Sequence, residues 1–190
     1  MRFRAATKAD APVLAELLNY AGEGMPLYLW GKLAKAGEDP WKIGRARAAR
    51  DEGSFSWRNA TVIEYEDECA GCLIGYAIAE QPEPVDAGIP AMFAPLQELE
   101  NIAHATWYIN VVGVPPRWRN LGLGGRLIAL AEDTAHKQRL RGCSLIVADE
   151  NRGARRLYER NDFRERATRK IVKEDWQSES NNWLLLVKEF

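Results

Sequence analysis

The sequence predicts a mixed α/β protein built on one sheet of about seven strands flanked by helices. Three observations carry that expectation. Strand-like segments recur at residues 3–6, 60–66, 72–78, 107–114, 144–148, 165–173 and 183–188. Helical periodicity separates them, first at Val13, Leu14, Leu17, Leu18 and Ala21, later at Leu123, Leu127, Leu130 and Ala131. A basic, glycine-rich turn joins the fourth strand to the helix after it. Strands and helices that alternate in this way form layers around a common sheet. The chain has no internal repeat and no low-complexity tract.

Length and composition set the outer bounds. A chain of 190 residues suits a single domain, 1–190, with a core of its own. Hydrophobic residues make up 46% and charged residues 28%, ordinary values for a globular protein. A net charge of −1 excludes the strong basic field of a general nucleic-acid binder. No apolar run approaches the roughly 20 residues that span a bilayer. Residues 1–5 enter structure without a signal-peptide core, so the expected location is cytoplasmic. Cys69 and Cys72 form a Cys-x-x-Cys pair, but a second ligand pair is missing and His104 and His136 stand far off. We read the pair as small residues around a hairpin turn and expect no metal. Cys143 opens an apolar strand and belongs to the core.

The elements follow in order. Thr7 to Asp10 has the form of a capping box, and the first helix runs from there to about Tyr20, stopping near Gly22. Residues 23–57 read as helical pieces broken by Pro26, Gly37, Pro40 and Gly53. They hold Tyr28, Trp30, Trp41, Phe55 and Trp57, aromatics that either line a pocket or pack together. The second and third strands pair through a turn over 67–71. Residues 81–100 carry Pro82, Pro84, Pro90 and Pro95 with Glu83, Asp86, Glu98 and Glu100, which predicts an irregular excursion with a short helix after Pro95. The helix after the glycine turn ends among Lys137, Arg139 and Arg141 with Gly142 closing it. A strand at 144–148, a helix at 151–160 and two further strands complete the chain.

The glycine turn carries the chemistry. Glycines let backbone approach a ligand closely, and the first N–H groups of a helix attract anions. Arg117 and Arg119 add positive charge, so a phosphate-bearing ligand is expected. In Gly122-Leu123-Gly124-Gly125-Arg126-Leu127 the third glycine of a dinucleotide fingerprint is replaced by Leu127, and the Walker pattern is absent. What stands instead is Arg119-x-x-Gly122-x-Gly124. About 30 residues on comes a second motif, with Asn151, Ala154, Leu157, Tyr158 and Phe163 at fixed spacing and Asp162 where a glycine is usual. Asp enters the left-handed region more readily than most residues. Asn151 and Tyr158, two helical turns apart, are expected on one helix face.

Together the two motifs resemble the GNAT superfamily of N-acetyltransferases. The resemblance covers most of the chain, least in 23–57 and 81–100. It implies a single-domain GNAT fold with a V-shaped splay between the fourth and fifth strands, and acetyl-CoA as acyl donor. The diphosphate would lie on Arg119, Asn120, Leu121, Gly122, Leu123, Gly124 and Gly125. The pantetheine arm would pair with the backbone of Val112, Gly113 and Val114 and pass near Asn151. Tyr158 would protonate the departing thiolate. Where many relatives place a Glu or His base, this chain has Tyr108 and Asn110, neither a good base near neutral pH. Glu64, Glu66 and Glu23 are alternatives, each more readily read as a solvated acid, and the base stays unassigned. The implied reaction is acetyl transfer to a primary amine of a small molecule or protein by direct attack in a ternary complex. The alternative is an acetyl-CoA-binding module without catalysis. Neither nucleic acid nor membrane is an expected partner, and a homodimer is left open.

Overall fold

The computed structural model describes residues 1–82 and 88–190. Its strands are β1 (Arg2–Ala5), β2 (Ala60–Tyr65), β3 (Glu68–Ala77), β4 (Trp107–Gly113), β5 (Gly142–Ala148), β6 (Arg164–Lys170) and β7 (Asn182–Glu189). Its α-helices are α1 (Ala11–Ala21), α2 (Met25–Leu33), α3 (Pro40–Ala48), α4 (Ala94–Ile102), α5 (Leu123–Lys137) and α6 (Arg152–Arg160). One mixed sheet takes the order β1-β2-β3-β4-β5-β7-β6, as the sequence predicts. The chain divides into two compact units, residues 1–75 with 111–127, and residues 76–110 with 128–190.

In the first unit β1, β2 and β3 are antiparallel neighbours. The hairpin turn is tighter than the expected 67–71. Glu66 and Asp67 alone make it, both in the left-handed region at φ 51° and 60°, and such turns match the twist of the strands they join. β3 therefore starts at Glu68, and Cys69 and Cys72 lie inside a strand rather than around a turn. The register shift opposite Ile63 and Glu64 leaves Ala70 as the extra residue of a bulge. Gly71 is required where it stands, because a Cβ there would lie 3.0 Å from the Gly113 carbonyl oxygen.

The helices of this unit bury one face each. Leu14, Ala15 and Leu17 of α1 are fully buried, and each buried leucine stabilises the fold by roughly 1.5–3 kcal/mol. Asp10 sits ahead of α1 and accepts from the Thr7 N–H at 2.7 Å and hydroxyl at 2.9 Å. Gly24, at φ 84°, separates α1 from α2. Asp39 caps α3 by accepting from the Trp41 N–H. The aromatics of 23–57 mostly pack together. Trp30 meets Phe55 in a stack at 6.3 Å and Trp41 edge-on at 5.7 Å, and Gly44 leaves the room its ring occupies.

In the second unit β5 pairs with β7 along its whole length, Gly142↔Glu189 to Ala148↔Trp183, and β6 lies against β7. Gly142 does not close a helix, contrary to the sequence reading. It opens β5, where a Cβ would collide with the Lys188 carbonyl. α5 stops at Lys137, and Arg139 takes the left-handed position after it at φ 56°. Asp162 follows α6 at φ 66°, the conformation expected of the residue that replaces a glycine. α4 is the short helix expected near Pro95. Its Leu99 is buried and its Glu98 pairs with Arg169 of β6 at 2.6 Å. Glu83, Pro84 and Asp86 of the proline-rich excursion lie outside the described residues. Among the described residues, no helix is long and apolar enough to cross a membrane.

Candidate active site

The first unit holds the glycine turn. After β4 a short 3-10 turn at Pro116–Trp118 leads to Arg119 in extended conformation. Asn120 at φ 63° and Gly122 at φ 75° then bring the chain into α5. Arg119 Nε donates to the Val114 carbonyl at 3.2 Å, which ties the loop to the end of the strand. Trp118 meets Tyr65 edge-on at 5.3 Å, and Arg117 is paired with Glu68 at 2.6 Å. Arg117 therefore brings less free charge than the sequence reading assigns to it. The N–H groups of Leu123, Gly124 and Gly125 lie in the first helical turn, where a helix offers no acceptor. A Cβ added at Gly122 or Gly125 would meet no atom within 4 Å. Left-handed backbone, first-turn N–H groups and space beside the glycines together suit a diphosphate.

Gly113, at the end of β4, has a different reason. A Cβ there would stand 2.8 Å from Leu17 Cβ, so the glycine lets α1 pass close to the strand. On β4, Val111 is buried and Val112 is partly exposed. Val114 follows just beyond the strand's end.

The second unit holds the start of β4, β5 and α6. The parallel β4–β5 ladder has two pairs, Trp107↔Cys143 and Tyr108↔Ser144. Next to it Thr106 and Ser144 share a buried hydroxyl–hydroxyl hydrogen bond of 2.7 Å. β5 itself runs on to Ala148.

Tyr158 on α6 is 8% exposed, and burial pushes its hydroxyl up to about 12. A phenol in that state keeps its proton at neutral pH. Its ring lies 6.0 Å from Phe163. Asn151 is not within the helix, as the sequence reading had it, but caps it, its Oδ1 accepting from the Ala154 N–H at 3.2 Å.

The sequence-named bases fare differently. Glu64 is held by Arg4 at 2.6 Å and Arg2 at 2.7 Å, and hydrogen bonds from Arg4, then Arg2, lower its pKa. A carboxylate so stabilised is a weak proton acceptor. Glu66 forms the β2–β3 turn, and Glu23 sits at φ 52° between α1 and α2. Asn110 is partly exposed, whereas Tyr108 is 5% exposed. The Tyr108 hydroxyl is pushed well above its ordinary value by burial, and Glu100, Tyr76 and Tyr158 push it the same way. From sequence Glu100 stands out only as one acid of the 81–100 stretch. Tyr76 donates to its Oε2 at 3.3 Å, and the Tyr76 and Tyr108 rings lie 5.4 Å apart. The available signal was Gln97, Glu100 and Asn101 at helical spacing on α4.

Cys69 is partly exposed and Cys72 fully buried, both free thiols. Among the described residues, no group of three or more His, Cys, Asp or Glu side chains is gathered as a metal would need.

The chain thus combines a mixed seven-stranded sheet, a parallel β4–β5 ladder and a strand, glycine turn and helix. Residues 28–163 match the Acetyltransferase (GNAT) family, and the chain belongs to that family. Solved structures share the fold. An N-acetyltransferase from Staphylococcus aureus Mu50 aligns with TM-score 0.69 at 18% identity, covering 99% of this chain and 100% of that one. A ribosomal-protein-alanine N-acetyltransferase from Brucella melitensis gives 0.59 at 20% identity, covering 100% of both chains. A GNAT family acetyltransferase from Elizabethkingia anophelis, with acetyl-CoA bound, gives 0.52 at 19% identity over 69% of this chain and 75% of that one. No curated protein matches the sequence.

Proposed function

We propose that this chain is an N-acetyltransferase that moves acetyl from acetyl-CoA to a primary amine by direct attack in a ternary complex, with residues 1–190 acting as one functional domain. The observation that carries the reading is the turn at residues 119–125. Its left-handed Asn120 and Gly122 deliver the chain to the α5 N-terminus, and relatives with the same fold include one solved with acetyl-CoA bound. The diphosphate rests on the N–H groups of this turn and on Arg119. The pantetheine arm takes the backbone of Val112, Gly113 and Val114, and the Nδ2 of Asn151 serves the same arm while its Oδ1 caps α6.

The amine nitrogen attacks the thioester carbon, and negative charge grows on the carbonyl oxygen, where backbone N–H groups stabilise it. The C–S bond then breaks. Tyr158 gives its proton to the departing thiolate and recovers one from the nitrogen, which leaves an amide and free CoA thiol. Burial suits Tyr158 to this role, because its high pKa keeps the proton in place until a thiolate appears.

The test is a panel of primary amines with acetyl-CoA, read as thiol release and as mass gain of the amine. Turnover of at least one amine supports the reading. Tight acetyl-CoA binding with no turnover on any amine would favour a binding module instead.

A further inference from the structure

The helix α6 carries Tyr158, and much of what holds its entry lies outside both sequence motifs. The chain leaves β5 at Ala148 and enters α6 on the Asn151 cap. Between them stands Asp149, half-buried, with every polar group of its backbone and side chain engaged. Its Oδ1 accepts from the Asn181 N–H at 2.9 Å, and its Oδ2 accepts from the Asn182 Nδ2 at 2.8 Å. Its own N–H donates to the Asn182 carbonyl at 3.0 Å. Its carbonyl accepts from Arg155 Nη1 at 2.9 Å, a side chain of α6 itself. One residue on, the Glu150 N–H donates to the buried Ser180 hydroxyl at 3.2 Å.

The far side of this bridge is firm. Ala148↔Trp183 ends the β5–β7 ladder. Trp183 is 7% exposed and stacks on Trp176 at 6.0 Å with the planes 10° apart. Asp149 thus ties the start of a well-packed strand to the start of a helix. Backbone hydrogen bonds make a short helix move as one piece, so a shift at its entry is carried two turns along to Tyr158. Desolvation raises the Asp149 pKa, but hydrogen bonds, first from the Asn182 side chain and then from the Asn181 backbone, outweigh it and lower the value. A carboxylate held in this way is unsuited to act as acid or base near neutral pH.

We propose that Asp149 is a positioning residue: by bridging the start of β7 to the entry of α6 it fixes that helix and, through it, the place of the Tyr158 hydroxyl. Asp149 acts through Asn151 and α6 rather than on the reacting atoms. The inference rests on the acetyl-transfer reading for what Tyr158 does, but not for what holds α6. It places part of the control of Tyr158 on a hydrogen-bonded corner that neither motif contains.

The experiment compares wild type with Asp149→Ala, Asp149→Asn and, as a control, Glu98→Ala, which removes the ion pair with Arg169. Thiol release gives kcat and its pH profile, calorimetry gives acetyl-CoA affinity, and mass spectrometry follows amide hydrogen exchange over residues 152–158. Asp149→Ala should lower kcat at least about tenfold, since small displacements of a reacting group are costly. Its acetyl-CoA affinity should stay within about twofold, and its pH profile should keep the wild-type shape. Exchange over 152–158 should rise at least about tenfold. Asp149→Asn should stay within about threefold of wild type in both kcat and exchange. Its carboxamide oxygen still accepts from the Asn181 N–H, and Asn182 has only to turn its own carboxamide over to accept from the new Nδ2. Glu98→Ala should match wild type in kcat and in exchange over 152–158. A lower Tm in Asp149→Ala with kcat unchanged would overturn the proposal, leaving Asp149 as structural glue. An Asp149→Asn variant as slow as Asp149→Ala, with one limb of the pH profile gone, would overturn it in favour of proton transfer. Where wild type releases no thiol with any amine, the transferase reading fails, and the exchange data alone judge the hold on α6. Exchange unchanged in Asp149→Ala would sink that hold as well.

Discussion

Between β4 and α5 the chain presents backbone, whereas α6 presents a single phenol. In the proposed reaction Asn120, Gly122 and the first turn of α5 would matter for where their N–H groups point, and most side chains there could change if the φ angles survived. Tyr158 would matter there for one oxygen, whose proton burial holds on. The two regions should therefore respond to substitution in opposite ways, one through binding of the donor and the other through turnover.

The sharpest break is Tyr158→Phe. It should lower kcat by roughly 10²–10³ with acetyl-CoA affinity unchanged, read by thiol release beside calorimetric titration. A loss confined to acetyl-CoA affinity would put Tyr158 in the binding group instead.

The backbone region can itself be split by two glycines. Gly113→Ala places a Cβ 2.8 Å from Leu17 Cβ, and overpacking of this kind costs about 1–3 kcal/mol, seen as a lower urea midpoint. Gly122→Ala meets no neighbour, but φ 75° costs an alanine about 1 kcal/mol. Its effect should appear mainly as acetyl-CoA affinity weakened about fivefold to tenfold as the loop shifts.

The smallest effect lies in neither region and serves as a control. Arg4 donates to Asp10 at 2.8 Å and 2.9 Å, and its hydrogen bonds, then those of Thr7, hold the Asp10 carboxyl at about 2 against an ordinary 3.8. The folded state thus binds its proton later than the unfolded chain. The resulting stability is complete above pH 3.8 and is lost as the pH falls toward about 2. Asp10→Asn should lower Tm by about 2 °C at pH 7, with the difference vanishing near pH 2 and acetyl-CoA affinity unaffected.

Legibility in the sequence follows the same division. A left-handed turn restricts residue types at fixed spacing, so Gly122 and Asp162 could be read directly, whereas the left-handed Asn120 was not. Seven strands and the helix near Pro95 were legible for a similar reason, since each is set by local pattern. Gly142 was misread because a glycine signals helix closure and close backbone approach equally well, and only the meeting with Lys188 decides. The β2–β3 turn was drawn too wide because Cys69 to Cys72 looks like loop composition, although a bulge and the approach of Gly113 carry it within a strand. Glu100 was legible only as one acid of the 81–100 stretch. Its hydrogen bond with Tyr76 joins positions 24 apart in numbering, and no spacing rule links them.

The cysteines have a practical consequence. Each acetyl transferred would leave one free thiol in solution, and the protein's own sulfur stays largely out of that count. Cys72 and Cys143 are fully buried, the thiol of the first pushed up by desolvation and that of the second to about 12. Cys69 is half-buried with its thiol also raised by desolvation. Thiolates are the form that reacts with disulfides and oxidants. The raised pKa values keep these cysteines in the less reactive thiol form at neutral pH, which slows their reaction with a disulfide dye.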